Sequence, residues 1–176
     1  MRAAAVAILL CLSVISAQPA KVRRSSVAAM EKSFDQSLLR LGDNPFTLVG
    51  NTRGLHLAGY GAVFTAEVNL IMGPTLSPFR QTISPEDIVR LHERKIERLP
   101  HLRRTMREML LSAAASLDDV PATERIVLGV RLLYLPYENT EGLPAHILMQ
   151  GERARLLDAK LGRVPAEAAL AVVEDF

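Results

Sequence analysis

The chain has 176 residues, with 21 Lys and Arg against 19 Asp and Glu, a single cysteine and no tryptophan. A net charge of +2 selects no partner by itself, and one cysteine excludes an internal disulfide and a thiolate zinc box. The length suits one domain with room for a sizeable core.

At the start, Arg2 is followed by an apolar run over residues 3–15 broken only by Ser13, and then by Ser16-Ala17 before Gln18. This pattern predicts a signal peptide over residues 1–17, so that the protein is exported to the periplasm or the extracellular space. The run falls short of the roughly 20 residues of a spanning helix. No later stretch reaches that length, so no transmembrane segment is expected in the mature chain. Cys11 leaves with the signal, which removes thiol chemistry. Residues 18–26, with Pro19, Lys21, Arg23, Arg24 and two serines, read as a flexible spacer. One domain is expected over residues 27–176.

Val27, Met30, Phe34, Leu38 and Leu41 recur at spacings of three and four, between Ser26 as N-cap and Gly42 beyond the end, and predict an amphipathic helix. Residues 46–50 predict a short strand, Asn51-Thr52-Arg53-Gly54 a hairpin turn, and residues 55–57 the returning strand. In residues 62–71, Phe64, Ala66, Val68 and Leu70 alternate with Thr65, Glu67 and Asn69, as in a half-buried strand. Leu55 and Leu57 sit at odd numbers, so a tight turn or bulge at Gly59-Tyr60-Gly61 is expected to switch the parity. Together these segments predict a three-stranded meander.

Residues 72–83 carry Gly73, Pro74 and Pro78 and read as a long loop whose Met72, Leu76, Phe79 and Ile83 line a groove or meet a partner. Ser84-Pro85-Glu86-Asp87 then opens a long helix with the stripe Ile88, Leu91, Ile96, Leu99, Leu102, Met106, Met109, Leu110, Ala113 and Leu117. Pro100 predicts a kink or a junction of two helices. Arg90, Arg94, Lys95, Arg98, Arg103, Arg104 and Arg107 form a basic belt opposite the stripe, which suits an anionic surface or an envelope protein. Nucleic acid is not expected, because aromatic residues do not interleave with the cations.

After Arg125 the segment 125–135 is apolar on both faces except at Arg131, and predicts a central strand whose Arg131 is paired, first of all with Glu67. A loop over residues 136–144 leads to a short strand over 145–150, then a helix sharing Ala154, Leu157 and Leu161. Pro165 is expected to open a final helix reaching Phe176. The fold class is thus α+β: a mainly antiparallel sheet, built of a meander, a long kinked helical crossover and two further strands, with helices on one face.

Motifs of catalysis are scarce. The four histidines are scattered, and His92-Glu93 lacks a second histidine at position 96, so neither metal nor cofactor is expected. Tyr60, Glu67, Asn69, Arg131 and either His56 or His146 make the best polar constellation. Through Gly59-Tyr60-Gly61-Ala62-Val63-Phe64-Thr65, the Ser77-Pro78-Phe79 loop and Leu99-Pro100 on the Arg-rich helix, the chain resembles exported bacterial proteins of uncharacterised activity. That resemblance implies export and a single domain, with no catalytic residues to transfer.

The leading expectation is an exported binding or interaction module, with Tyr60, Phe79, Arg94, Arg98, Arg104 and Arg131 as binding residues and an open oligomeric state. The alternative is a small metal-independent hydrolase or other small-molecule enzyme using polar residues of the sheet face, in which Glu67 and His146 share acid and base work, with Arg131 holding an anion.

Overall fold

The alternating run after Gly61 sets the frame of the sheet. In the computed structural model, which describes residues 22–40, 45–74 and 82–176, this run is one strand whose Phe64 and Val68 are fully buried. The elements in order are α1 (Arg24–Leu39), β1 (Thr47–Leu57), β2 (Gly61–Asn69), α2 (Pro85–Ser116), β3 (Arg125–Leu132), β4 (His146–Glu152), α3 (Arg153–Lys160), α4 (Ala166–Ala169) and β5 (Ala171–Asp175). The strands lie in sequence order, β1-β2-β3-β4-β5. All neighbours are antiparallel except β2 and β3, which run parallel. The fold is α+β with a mostly antiparallel sheet. The signal segment, Leu41, Leu76 and Phe79 lie outside the described residues.

One face of the sheet carries the core. Phe64, Val68, Ile126, Leu128 and Val130 pack with Val27, Met30, Phe34 and Leu38 of α1 and with Leu99, Leu102, Met106 and Leu110 of α2. Phe34 meets Phe64 edge-on, with ring centroids 4.9 Å apart, a favoured aromatic geometry. Helix α2 starts as its sequence requires, with the Ser84 side chain accepting from Asp87 N at 3.2 Å and Pro85 in the first turn. It then runs unbroken through Pro100 for 32 residues, so the proline divides no pair of helices.

Four expectations are corrected. Residues 51–54 are not a turn: β1 continues through them, taking up register shifts between Leu48 and Arg53 that place Thr52 and Gly54 on the helix side. Leu55 and Leu57 consequently stay half exposed on the other face, and no parity switch occurs, because residues 58–60 simply close a hairpin. At the end of the chain α4 lasts one turn, and Leu170 at φ −130°, ψ 150° passes into β5, whose Val172 and Val173 suit a strand. Residues 22–26 are tied down rather than loose: Val22 packs on the core, and Arg23 bonds Asp118 and Asp119.

The two rims of the sheet differ. On β1, Asp35 accepts from Thr52 N at 2.8 Å and Glu31 from Gly54 N at 2.8 Å, while Arg24 donates to Gly54 O at 3.0 Å. Helix α1 therefore satisfies backbone groups at Thr52 and Gly54 of that strand. On β5, Arg103 grips both oxygens of Glu174 at 2.6 Å from the helix side, but among the described residues no side chain bonds the strand's outer edge.

Two tests follow from this packing. Gly61 has φ +142°, and a Cβ there would lie 1.9 Å from the Arg125 carbonyl oxygen. Gly61→Ala should therefore cost at least about 3 kcal/mol in urea unfolding; a loss under about 1 kcal/mol would contradict the close approach of β2 to β3 at this point. Burial pushes the Asp119 carboxyl up, but hydrogen bonds from Arg23 N, Ser26 Oγ and Arg23 Nε outweigh burial and hold it below its ordinary value of 3.8. A carboxyl depressed in the fold adds stability that is present above the unfolded value and is lost as the pH falls through the folded value. Asp119→Asn should accordingly flatten the acid limb of the stability curve below about pH 4, and an unaltered limb would show that these bonds leave stability untouched.

Candidate binding site

With helices on one face, the odd-numbered residues of β2 and β3 look out from the other. Strand register arranges them in rows across the sheet. One row is Arg53, Thr65, Gly129, Leu148 and Val173; the next is Gly50, Glu67, Arg131, His146 and Asp175. Between and around these two rows lies a concavity of about 490 Å³ spanning β1 to β4, whose lining includes Arg53, Glu67, Gly129, Arg131, His146 and Leu148. The volume is that of a small-molecule site.

Its floor is made of missing side chains. Gly129 sits in the middle of the central strand, where glycine weakens a sheet. Its φ lies outside the left-handed range, and an added Cβ would find Leu148 Cδ1 at 3.6 Å, an ordinary contact. Gly50 is freer still, with nothing within 4 Å of the added atom. Neither backbone angle nor packing requires glycine at these two positions, in contrast to Gly61.

The electrostatics of the hollow are uneven. Arg131 Nη1 donates to Glu67 Oε1 at 3.2 Å, the pairing expected from the sequence, and both side chains stay about half exposed. His146 Nδ1 lies 3.6 Å from Asp175 Oδ2. Arg53 lines the same hollow, and no ion pair or side-chain hydrogen bond engages it among the described residues.

Of the polar constellation expected from the sequence, Glu67, Arg131 and His146 come together here. Tyr60 stands in the β1–β2 hairpin, nearly half exposed and far along β2 from Glu67. Asn69 is buried and accepts from Ile71 N, and His56 Nε2 pairs with Glu124 at 2.6 Å. Phe79 lies outside the described residues. Sequence reasoning passed over Arg53, placed in a turn, and Gly129, although a lone glycine inside an apolar strand is a readable sign of close approach by another group. Among the described residues no cluster of His, Cys, Asp and Glu has the arrangement of a metal site, and no helix is long and apolar enough to cross a membrane.

The basic belt of α2 is largely consumed by the fold. Arg90 pairs with Asp87 at 3.0 Å, Arg103 with Glu174, and Arg107 with Glu167 at 3.3 Å. Arg98 stacks on Phe46 at 4.7 Å, and burial together with the charge of Arg94 pulls its pKa down. Arg94 and Arg104 are the exposed remainder.

Lys95, expected on the solvated side, is fully buried, and Ile96, expected inside, is 38% exposed. Lys95 donates to Glu138 and lies 5.0 Å from the centre of the Tyr134 ring. Both charged side chains of this pair are at most 2% exposed. Tyr134 donates to the Pro144 carbonyl at 2.8 Å, and burial, helped by Glu138, pushes its hydroxyl pKa far up. These contacts clamp the loop after β3 onto α2.

The buried pair makes a sharp test. Lys95→Met strands the Glu138 carboxylate and should cost about 3–5 kcal/mol, whereas Lys95→Met with Glu138→Leu should recover most of it. Urea melts of both proteins decide, and equal losses would show that the charges contribute only their bulk. No family model, curated protein or solved structure matches the chain.

Proposed function

We propose that the protein is an exported binding module that holds its ligand in the hollow on the uncovered face of the sheet. Export rests on the pattern of residues 1–17. The binding reading is carried by Gly129: a central-strand glycine that neither strain nor crowding explains stands where it deepens the hollow. The hydrolase reading has less support. Glu67 and His146 stand on strands separated by β3, roughly 9.6 Å apart at two strand spacings, with Arg131 between them. Each has its own nearest partner, Arg131 for Glu67 and Asp175 for His146.

The test fills the hollow without harming the strand. Valine at position 129 suits β structure, and its Cβ has room. N-phenyl-1-naphthylamine, an uncharged apolar fluorophore, should brighten on addition of the mature protein and should not brighten with Gly129→Val. The variant's thermal midpoint should meanwhile equal or exceed that of the parent. Equal brightening with both proteins would refute the placement of the site.

A further inference from the structure

Building on that reading of the hollow, we infer that its ligand is an anion carried on an apolar body, an alkyl or aryl carboxylate, lying across the strands with its charged end at Arg53.

The row through Gly129 has a direction. It begins with a guanidinium on β1, passes the hydroxyl of Thr65 on β2 and the bare backbone of Gly129 on β3, and ends with Leu148 and Val173 on β4 and β5. Polar groups therefore occupy one end and apolar ones the other. From β1 to β4 the row covers three strand spacings, roughly 14 Å, which is longer than a compact ion and suits an extended molecule.

Charge accounting selects the sign. Among the lining groups Arg131 is answered by Glu67, and His146 lies beside Asp175. Arg53 has no counter-ion among the described residues, which places its positive charge, unanswered, next to an apolar trough. A carboxylate supplies the missing charge and can accept two parallel bonds from the guanidinium. An ammonium ligand at the β1 end would face Arg53 and Arg131, with Glu67 already engaged by Arg131 and Asp175 beyond His146 at the far end of its row. Neutral amphiphiles would fill the trough and leave Arg53 unanswered.

Three eight-carbon probes separate the cases: octanoate, octanol and octylammonium, each competing against the bound fluorophore at neutral pH and low salt. Octanoate should displace it at about tenfold lower concentration than octanol, the effect of one charge-assisted contact, and octylammonium should be the weakest. Arg53→Gln should abolish the preference for octanoate over octanol while leaving octanol unchanged. Glu67→Gln, which removes the competing carboxylate, should strengthen octanoate alone. If octanol and octanoate compete equally and Arg53→Gln changes neither, the anionic class is wrong while the hollow remains a site. If none of the probes competes, and octanoate moves no amide resonance of Gly129 or Thr65 in the parent protein, the site and its ligand class fall together.

Discussion

The parallel join between β2 and β3 is the constraint on which the rest of the molecule depends. Two parallel neighbours cannot be linked by a tight turn, because the chain must return to the starting end of the sheet. Here the return is made by α2, whose 32 residues extend about 48 Å. Once that helix lies on one face, the apolar sides of β2 and β3 must turn toward it, and α1 completes the cover through Phe34. The opposite face is then left without a helix among the described residues. Covered and bare sides are consequences of one connection.

The same helix explains why a cation-rich stretch need not be a cation-rich surface. Arg103 holds the last strand, Arg107 reaches α4 at Glu167, Arg98 lies over Phe46, and Lys95 clamps the loop after β3. Each of these partners is distant in sequence. Charge that is clustered along the chain has been distributed among tertiary joints, and at the buried one, Lys95 with Glu138, removing one partner costs more than the pair contributes. At the hollow the order is reversed: Arg53 is isolated along the sequence among polar and glycine residues, yet it lines the open face with no counter-ion among the described residues.

How much of this was legible from residues follows the range of the interactions. The buried stripe of α1, the Ser84 start of α2 and the inward parity of β2 depend on neighbours within one or two turns, so spacing alone conveys them. The Glu67 and Arg131 pairing was legible because, after its first residue, β3 is interrupted by the charge of Arg131 alone. Residues 51–54 have turn chemistry but are held extended by Asp35 and Glu31, which lie 17 and 23 residues earlier. Strand β5 owes its conformation to β4 and to Arg103, and a segment of five residues carries too little pattern to announce either. Lys95 is buried because Glu138 and Tyr134, some forty residues on, enclose it. The site was half readable for a related reason: spacing picks out Glu67, Arg131 and His146, whereas a hollow is an absence, visible only once the strands around Gly129 are in register.

The partly occupied rim of β1 has a consequence for how copies of this chain can meet. Exposed sheet edges are templates on which further chains add without limit. Asp35, Glu31 and Arg24 occupy the backbone groups of Thr52 and Gly54, so a newcomer meets side chains at the middle of β1. The middle of that rim is thereby a poor template for a further strand, and the rim that no side chain bonds among the described residues is β5.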